Sequence, residues 1–302
     1  MQNGEYGTLA RMSPATKTSI WFLGTSAFAI PSLEALIANP EFSVDLVITQ
    51  PNRPAGRKKE LLPPPVKIVA EQNGLKIIQP ENINHDSPFS ILHSPFVRPD
   101  YLVVVSFGQI LSQQILDIPR VAPVNIHGSL LPRFRGASPI HHAILAGDRE
   151  TGVTVQRMVK ELDAGPILAQ ERTPMDPRET YASLHDRLAS MGAQLLLKTL
   201  ASSLTETPQN QKHVTVCRKL TRADGTVDPM AMTAEQIDRK VRALNPWPGV
   251  THGGLKILET ALTPVQDSTP LPCTEGTILH LVTVQPAGKK PMTGAEWSRG
   301  KR

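Results

Sequence analysis

The residues of this chain best equipped for chemistry are an amide and an imidazole two positions apart, Asn125 and His127, followed by Gly128. In a β-strand, side chains two apart project from one face, so the two groups would stand side by side. Asparagine can donate an N–H to a developing oxyanion, and histidine can take up or release a proton near neutral pH. A polar pair in a sheet costs burial energy unless it finds partners. From spacing alone, the pair reads equally well as a structural cap on a loop. Leu162-Asp163-Ala164-Gly165 adds a third group, because a turn between two predicted strands can deliver a carboxylate to the same edge. A carboxylate beside an imidazole stabilises the imidazolium form. Together Asn125, His127 and Asp163 could support attack on a carbonyl without a metal or a covalent intermediate. Taken singly, an Asp in a Gly-containing turn is an ordinary turn residue.

The elements that must position these groups follow from the hydrophobic pattern. The first two-thirds of the chain alternate short apolar runs with helical periodicity, which predicts a doubly wound α/β domain over residues 19–204. Predicted strands cover residues 19–23, 44–49, 75–78, 101–105, 124–127, 153–159 and 166–173. The run Tyr101-Leu102-Val103-Val104-Val105 is uninterrupted, as a strand buried on both faces requires. Helices are expected over 27–38, 66–73 and 180–204. Asn125 and His127 then fall at the carboxyl edge of the sheet, where folds of this class bind their ligands. Residues 205–228 are polar and turn-rich and read as a linker. A helix over 233–244, stopped by Pro246, and short β-like runs at 255–258 and 277–284 predict a small β domain over 229–302.

Composition narrows the function classes. No apolar run approaches the ~20 residues of a membrane span. Residues 1–18 are polar and lack the apolar core of a secretory signal; they are expected to be a disordered extension, with Met12 as an alternative start. Cys217 and Cys273 have no metal-type or disulfide spacing, and a cytoplasmic location is the simplest reading. The turn Gly24-Thr25-Ser26-Ala27-Phe28-Ala29 departs from the dinucleotide fingerprint, and no Walker loop occurs. His141 and His142 are adjacent, point apart on a helix, and make a poor metal pair. Net charge is +5; residues 1–204 hold 19 basic and 18 acidic side chains, residues 205–302 hold 13 and 9. The basic excess of the last third suits a polyanionic partner, and charge alone fits a merely basic surface equally well.

The stretch Asn125-Ile126-His127-Gly128-Ser129-Leu130-Leu131-Pro132-Arg133-Phe134-Arg135-Gly136, continued by Ala137-Ser138-Pro139, resembles the signature of the folate-dependent formyltransferase family. Further matching blocks are the turn Gly24 to Ala29, the stretch from Thr49 to Lys59, Gly147 to Thr154, and Leu162-Asp163-Ala164-Gly165. Two more lie near the C-terminus, at Asn245-Pro246-Trp247-Pro248 and Gln285 to Lys290. The resemblance runs in order from about Ile20 to Met292. It implies a Rossmann-like catalytic domain joined to a C-terminal OB-fold-like β-barrel. It implies 10-formyltetrahydrofolate as formyl donor, no metal, and a monomer. Asn125, His127 and Asp163 match the family's catalytic trio, and Ser129, Leu130, Leu131 and Pro132 match a loop lining the folate site. The strand tip Val105-Ser106-Phe107-Gly108 resembles the wall against which the pterin packs. Among family acceptors, methionyl initiator tRNA is favoured by the basic loop holding Arg53, Arg57, Lys58 and Lys59. The basic C-terminal third and the domain junction point the same way. Glycinamide ribonucleotide and nucleotide-linked amino sugars are the alternative acceptors. The chain departs from the family at Ser26, where Pro is usual, and in the C-terminal domain. There a stretch about the size of a strand pair is missing, and only His280 separates Leu279 from Leu281.

Overall fold

Alternation along the central strands explains the architecture. In a computed structural model describing residues 17–56, 60–85 and 98–300, Ile20 and Phe22 enter one apolar core while Trp21 and Leu23, on the same strand, enter a second. Val103 and Val105 divide from Leu102 and Val104 in the same way. Both faces of the sheet are therefore covered, and each fully buried large apolar side chain contributes roughly 1.5–3 kcal/mol.

The strands are β1 (Thr18–Gly24), β2 (Phe42–Ile48), β3 (Arg53–Ala55), β4 (Glu60–Leu62), β5 (Ile77–Ile78), β6 (Tyr101–Val105), β7 (Ala122–His127), β8 (Arg135–Gly136), β9 (Glu150–Arg157) and β10 (Ile167–Pro174). A seven-stranded sheet runs β10-β9-β7-β6-β1-β2-β5. The inner strands pair in parallel, but β9 is antiparallel to β7 and β10 to β9. The sheet is thus parallel at its centre and antiparallel at the edge that carries the histidine strand. β3 and β4 form a separate small hairpin. Among the described residues, the helices of this domain are α1 (Ile30–Ala38), α2 (Pro65–Gln72), α3 (Gln113–Leu116), α4 (Pro139–Ala146) and α5 (Tyr181–Leu200). The helix expected over 27–38 opens with a 3-10 turn at Ala27–Ala29. α5 ends four residues before the expected 204; Thr180 caps its start, accepting from Ser183 N. A Cβ on Gly192 of α5 would stand 2.8 Å from Ile126 of β7, so glycine here sets how closely the helix lies on the sheet.

Beyond residue 204 come β11 (Val216–Cys217), α6 (Ala234–Leu244), β12 (Val250–His252), β13 (Leu255–Ala261), β14 (Thr269–Pro272), β15 (Ile278–Gln285), β16 (Met292–Thr293) and α7 (Gly294–Arg299). The expected small β domain is a five-stranded antiparallel sheet ordered β12-β13-β15-β14, with β16 also on β15. The apolar runs on either side of His280 are one strand, β15. β13 flanks one edge, and β14 and β16 share the other. The shortened stretch therefore leaves no bare edge on the central strand, the liability that unpaired strands carry. Thr233 caps α6, and its buried face, with Ile237, Val241 and Leu244, joins the first core. That core is continuous from Val103 and Val124 to Ile257 and Val284. Among the described residues, no helix is long and apolar enough to cross a membrane.

The segment 205–228, expected to be a linker, is packed against the first domain. Thr207 bridges Ile167, and β11 pairs in parallel with β8. Gln209 and Cys217 are buried. Of the expected N-terminal extension, Thr18 opens β1, and residues 1–16 lie outside the described residues.

Candidate active site

On β7 and β9 the two faces differ in chemistry. Val124, Ile126, Val153 and Val155 point into the first core, beneath α5. The alternating positions Asn125, His127, Thr154 and Gln156 point to the opposite face and are polar. Register puts them in pairs, Asn125 beside Gln156 and His127 beside Thr154. Where β1, β2 and β6 supply apolar side chains to that face, β7 and β9 supply hydrogen-bonding groups, and these make the site.

His127 is held by an acceptor. Its Nε2 lies 2.8 Å from the carbonyl oxygen of Phe134. A carbonyl only accepts, so the ring proton sits on Nε2 and the neutral ring keeps its lone pair on Nδ1. Nδ1 is 3.7 Å from Asp163 Oδ2, with the two side chains 7% and 11% exposed. That is too long for a direct hydrogen bond and within ion-pair distance once the ring carries a second proton. The Asp163 carboxylate accepts from Gly136 N at 2.8 Å and from Gln156 Nε2 at 3.0 Å. Asn125 Nδ2 donates to Val104 O at 2.9 Å, and Asn125 Oδ1 accepts from Gln156 Nε2 at 3.2 Å. The amide of Asn125 is thereby oriented, with one N–H left to donate. The arrangement offers a donor for an oxyanion beside a base backed by a carboxylate.

Backbone geometry delivers Asp163 to this place. Its φ is +51°, the left-handed region that is costly for a non-glycine residue. The turn packs so closely that a Cβ on Gly165 would meet Arg157 O at 1.8 Å. Gln209 donates to Asp163 O at 2.8 Å and Gly165 O at 2.7 Å, while its Oε1 accepts from Arg135. Cys217 Sγ donates to the Phe134 carbonyl that holds His127. Burial pushes the Cys217 thiol up, which keeps it a protonated donor. Gly136 must be glycine, with φ +121° and Cys217 O only 2.2 Å from where its Cβ would be.

The other residues singled out in the sequence take several places. Ser129 and Leu131 are buried. The Ser129–Pro132 loop is tied down by Thr154, whose hydroxyl donates to Ser129 O and accepts from Leu131 N. Leu130, Leu131 and Pro132 face a groove shared with Arg149, Lys212 and Thr215. Asp163 and Gln156 line a different, narrow cavity with Gln109, Leu111 and Met158, flanked by the exposed Ile110 and Leu162. The strand tip at Ser106 has φ +47°, and Ser26 Oγ donates to Ser106 Oγ at 2.7 Å. The serine at that departure thus links two strand tips. Arg53 is exposed and paired with Glu81 at 2.9 Å; Arg57, Lys58 and Lys59 lie outside the described residues. Gln156 and Gln209 escaped the sequence reading, and Cys217 was read there only for its lack of metal or disulfide spacing. The alternation of Thr154 and Gln156 with valines was a signal for the first, since a polar stripe on an inner strand needs partners.

Comparisons with known proteins bear on this geometry. The family model described as formyl transferase matches residues 18–200, and that of the formyl transferase C-terminal domain matches residues 219–302. The methionyl-tRNA formyltransferase of Halorhodospira halophila is 42% identical, over 94% of this chain and 96% of its own. That of Enterococcus faecalis is 38% identical, with the same coverage. Among solved structures, the N-formyltransferase from Helicobacter canadensis, in complex with folinic acid and dTDP-3-aminofucose, aligns with a TM-score of 0.67 at 18% identity. That alignment covers 88% of this chain and 99% of that one, and at such identity it speaks for the fold alone.

Proposed function

The chain belongs to the formyl transferase family, and we propose that it moves the formyl group of 10-formyltetrahydrofolate to the α-amine of methionyl initiator tRNA, giving N-formylmethionyl-tRNA for translation initiation. The likeness to methionyl-tRNA formyltransferases over nearly the whole of both chains supports this acceptor. The observation that carries the chemistry is the convergence of Asn125, His127 and Asp163 on the polar face of two adjacent strands. The neutral α-amine attacks the formyl carbon bound to folate N10. The free N–H of Asn125 donates to the oxygen as it becomes an oxyanion, a contribution of roughly 10²–10³ in rate. His127 takes the amine's proton on Nδ1, Asp163 stabilises the resulting imidazolium, and the proton passes to the departing N10. Such acid–base work is worth about 10²–10⁴. Ser129, Leu130, Leu131 and Pro132 are proposed to border the donor, and Arg53, Arg57, Lys58 and Lys59 to contact the tRNA. The protein works in the cytoplasm as a monomer.

The test is formyl transfer from 10-formyltetrahydrofolate to methionyl initiator tRNA, methionyl elongator tRNA and glycinamide ribonucleotide. Selective transfer to the initiator is expected. Transfer only to the ribonucleotide, or release of formate with no acceptor, overturns the tRNA reading.

A further inference from the structure

Gln156 is 2% exposed and stands beside Asn125 in the strand register. Its Nε2 has two hydrogens and two acceptors: Asn125 Oδ1 at 3.2 Å and Asp163 Oδ1 at 3.0 Å. Both donors are used on the two groups that must act together. Its Oε1 is buried with no hydrogen-bond partner among the described residues. A buried acceptor left unpaired costs about 1–3 kcal/mol, which offsets much of what the two donated bonds contribute to stability. What it does locally is specific. Without a donor facing Oδ1, the Asn125 amide is held by Val104 O at its nitrogen end and by nothing described at its oxygen end. Without a donor on Oδ1, Asp163 keeps Gly136 N as the one hydrogen-bond donor to its carboxylate among the described residues.

We propose that Gln156 is a positioning residue for the transfer reaction, one that binds Asn125 and Asp163 into a single hydrogen-bonded unit through its amide group. This rests on the assignment of Asn125 and Asp163 to the chemistry. Gln156 itself touches neither the formyl group nor the amine. A donor that orients two catalytic groups at once acts on kcat, because it sets geometry in the transition state, and leaves substrate affinity to other residues.

The experiment compares the wild-type chain with Gln156→Met, which keeps the volume and removes both donors, and with Gln156→Glu, which keeps the shape and puts an acceptor where the donor stood. Each is assayed with methionyl initiator tRNA, with glycinamide ribonucleotide and with water as acceptor, so a wrong acceptor shows in the wild type and is separate from any effect at Gln156. On whichever acceptor the wild type uses, both variants should lose ~10–100-fold in kcat, the scale of a small misplacement of reacting groups. KM for donor and acceptor should stay within about threefold, consistent with the loss lying in the transition state. The discriminating arm places Gln156→Met in an Asn125→Ala, Asp163→Ala background. There it should cost no more than about twofold further, because the groups it acts through are gone. Unchanged kcat in both single variants overturns the proposal, and so does a loss of the same factor in the double-alanine background.

Discussion

At the scale of the residue, the site is a question of which hydrogen is left over. Asn125 spends one N–H on Val104 O and fixes its oxygen against Gln156, leaving one N–H for the oxyanion. His127 spends Nε2–H on Phe134 O, leaving Nδ1 for the proton. Asn125→Ala, His127→Ala and Asp163→Ala are each expected to lose at least about two decades of turnover, with the far-ultraviolet spectrum of the wild type retained. Near-normal turnover in one of them would remove that residue from the mechanism. One titration in the fold belongs to stability. Burial, followed by the charges of neighbouring His142 and His185, lowers His141 from 6.5 to about 4. His141 stacks on Tyr181 with ring centroids 4.0 Å apart, and Tyr181 in turn lies near His185 and Asp186. The folded state therefore favours the neutral ring. Between pH 6.5 and about 4 the unfolded chain binds a proton that the folded chain does not, so stability is lost as pH falls through that window. His141→Phe keeps a ring against Tyr181 and removes the titration. Melting temperatures measured from pH 7 down to pH 4 should fall less steeply in the variant; parallel curves would mean that His141 does not contribute.

At the scale of the element, the decisive piece is the segment that the sequence offers only as a polar stretch. Gln209 grips the turn bearing Asp163 through two backbone carbonyls, and it bridges that turn to Arg135. Gln209→Leu fills the space and removes every donor, leaving two carbonyls and a guanidinium without their partner. Turnover is expected to fall about tenfold or more through displacement of Asp163. Stability should fall by about 1–3 kcal/mol, the cost of unsatisfied buried groups. Chemical denaturation and kinetics on the same preparation would check both, and a loss of stability with full turnover would disconnect the segment from the site. This is also where legibility in the sequence divides. Asn125 and His127 could be set side by side because period-two spacing ends a predicted strand, and Asp163 near them because its turn joins two others. Spacing left a structural cap equally open, and the resemblance to formyltransferases made the choice. The strands of the seven-stranded sheet, with β13 and β15, were legible from apolar runs to within a few residues at their ends, whereas the short β3, β4, β8, β11, β12, β14 and β16 were not predicted. The antiparallel sense of β9 and β10 was not, since an apolar run records burial and not direction. Nor was the packing of 205–228 visible. Leu220 and Val227 enter the first core, while Gln209, Cys217, Thr215 and main chain tie the segment to the site loops, and a buried glutamine looks in sequence like an exposed one.

At the scale of the whole molecule, the two domains are joined by an apolar core and by one buried carboxylate. Asp238 of α6 is 1% exposed. It accepts from Arg178 NH1 at both oxygens (2.7 and 2.8 Å), from Arg242 Nε at 2.8 Å and from Thr260 Oγ1 at 2.8 Å. Arg178 also donates to Thr260 O, and Arg242 to the carbonyl of Glu179. Arg178 and Glu179 precede α5 in the catalytic domain, while Asp238, Arg242 and Thr260 belong to the C-terminal one. Removing one member of a buried ionic cluster costs about 3–5 kcal/mol, because the others lose their counter-charge. Arg178 has a side chain 49% exposed and can turn to water, so Asp238→Ala should fall at the lower end, lowering Tm by roughly 5–10 °C. Because the first core runs unbroken from Val124 to Val284, the variant should still melt in a single calorimetric transition. Two transitions would mean that the carboxylate, and not the shared core, makes the domains unfold together. Pairing Arg242→Met with Asp238→Leu separates charge from packing: Arg242, its side chain 12% exposed, is the cation that Asp238→Ala leaves without its counter-charge, and removing both should recover part of the stability that Asp238→Ala gives up.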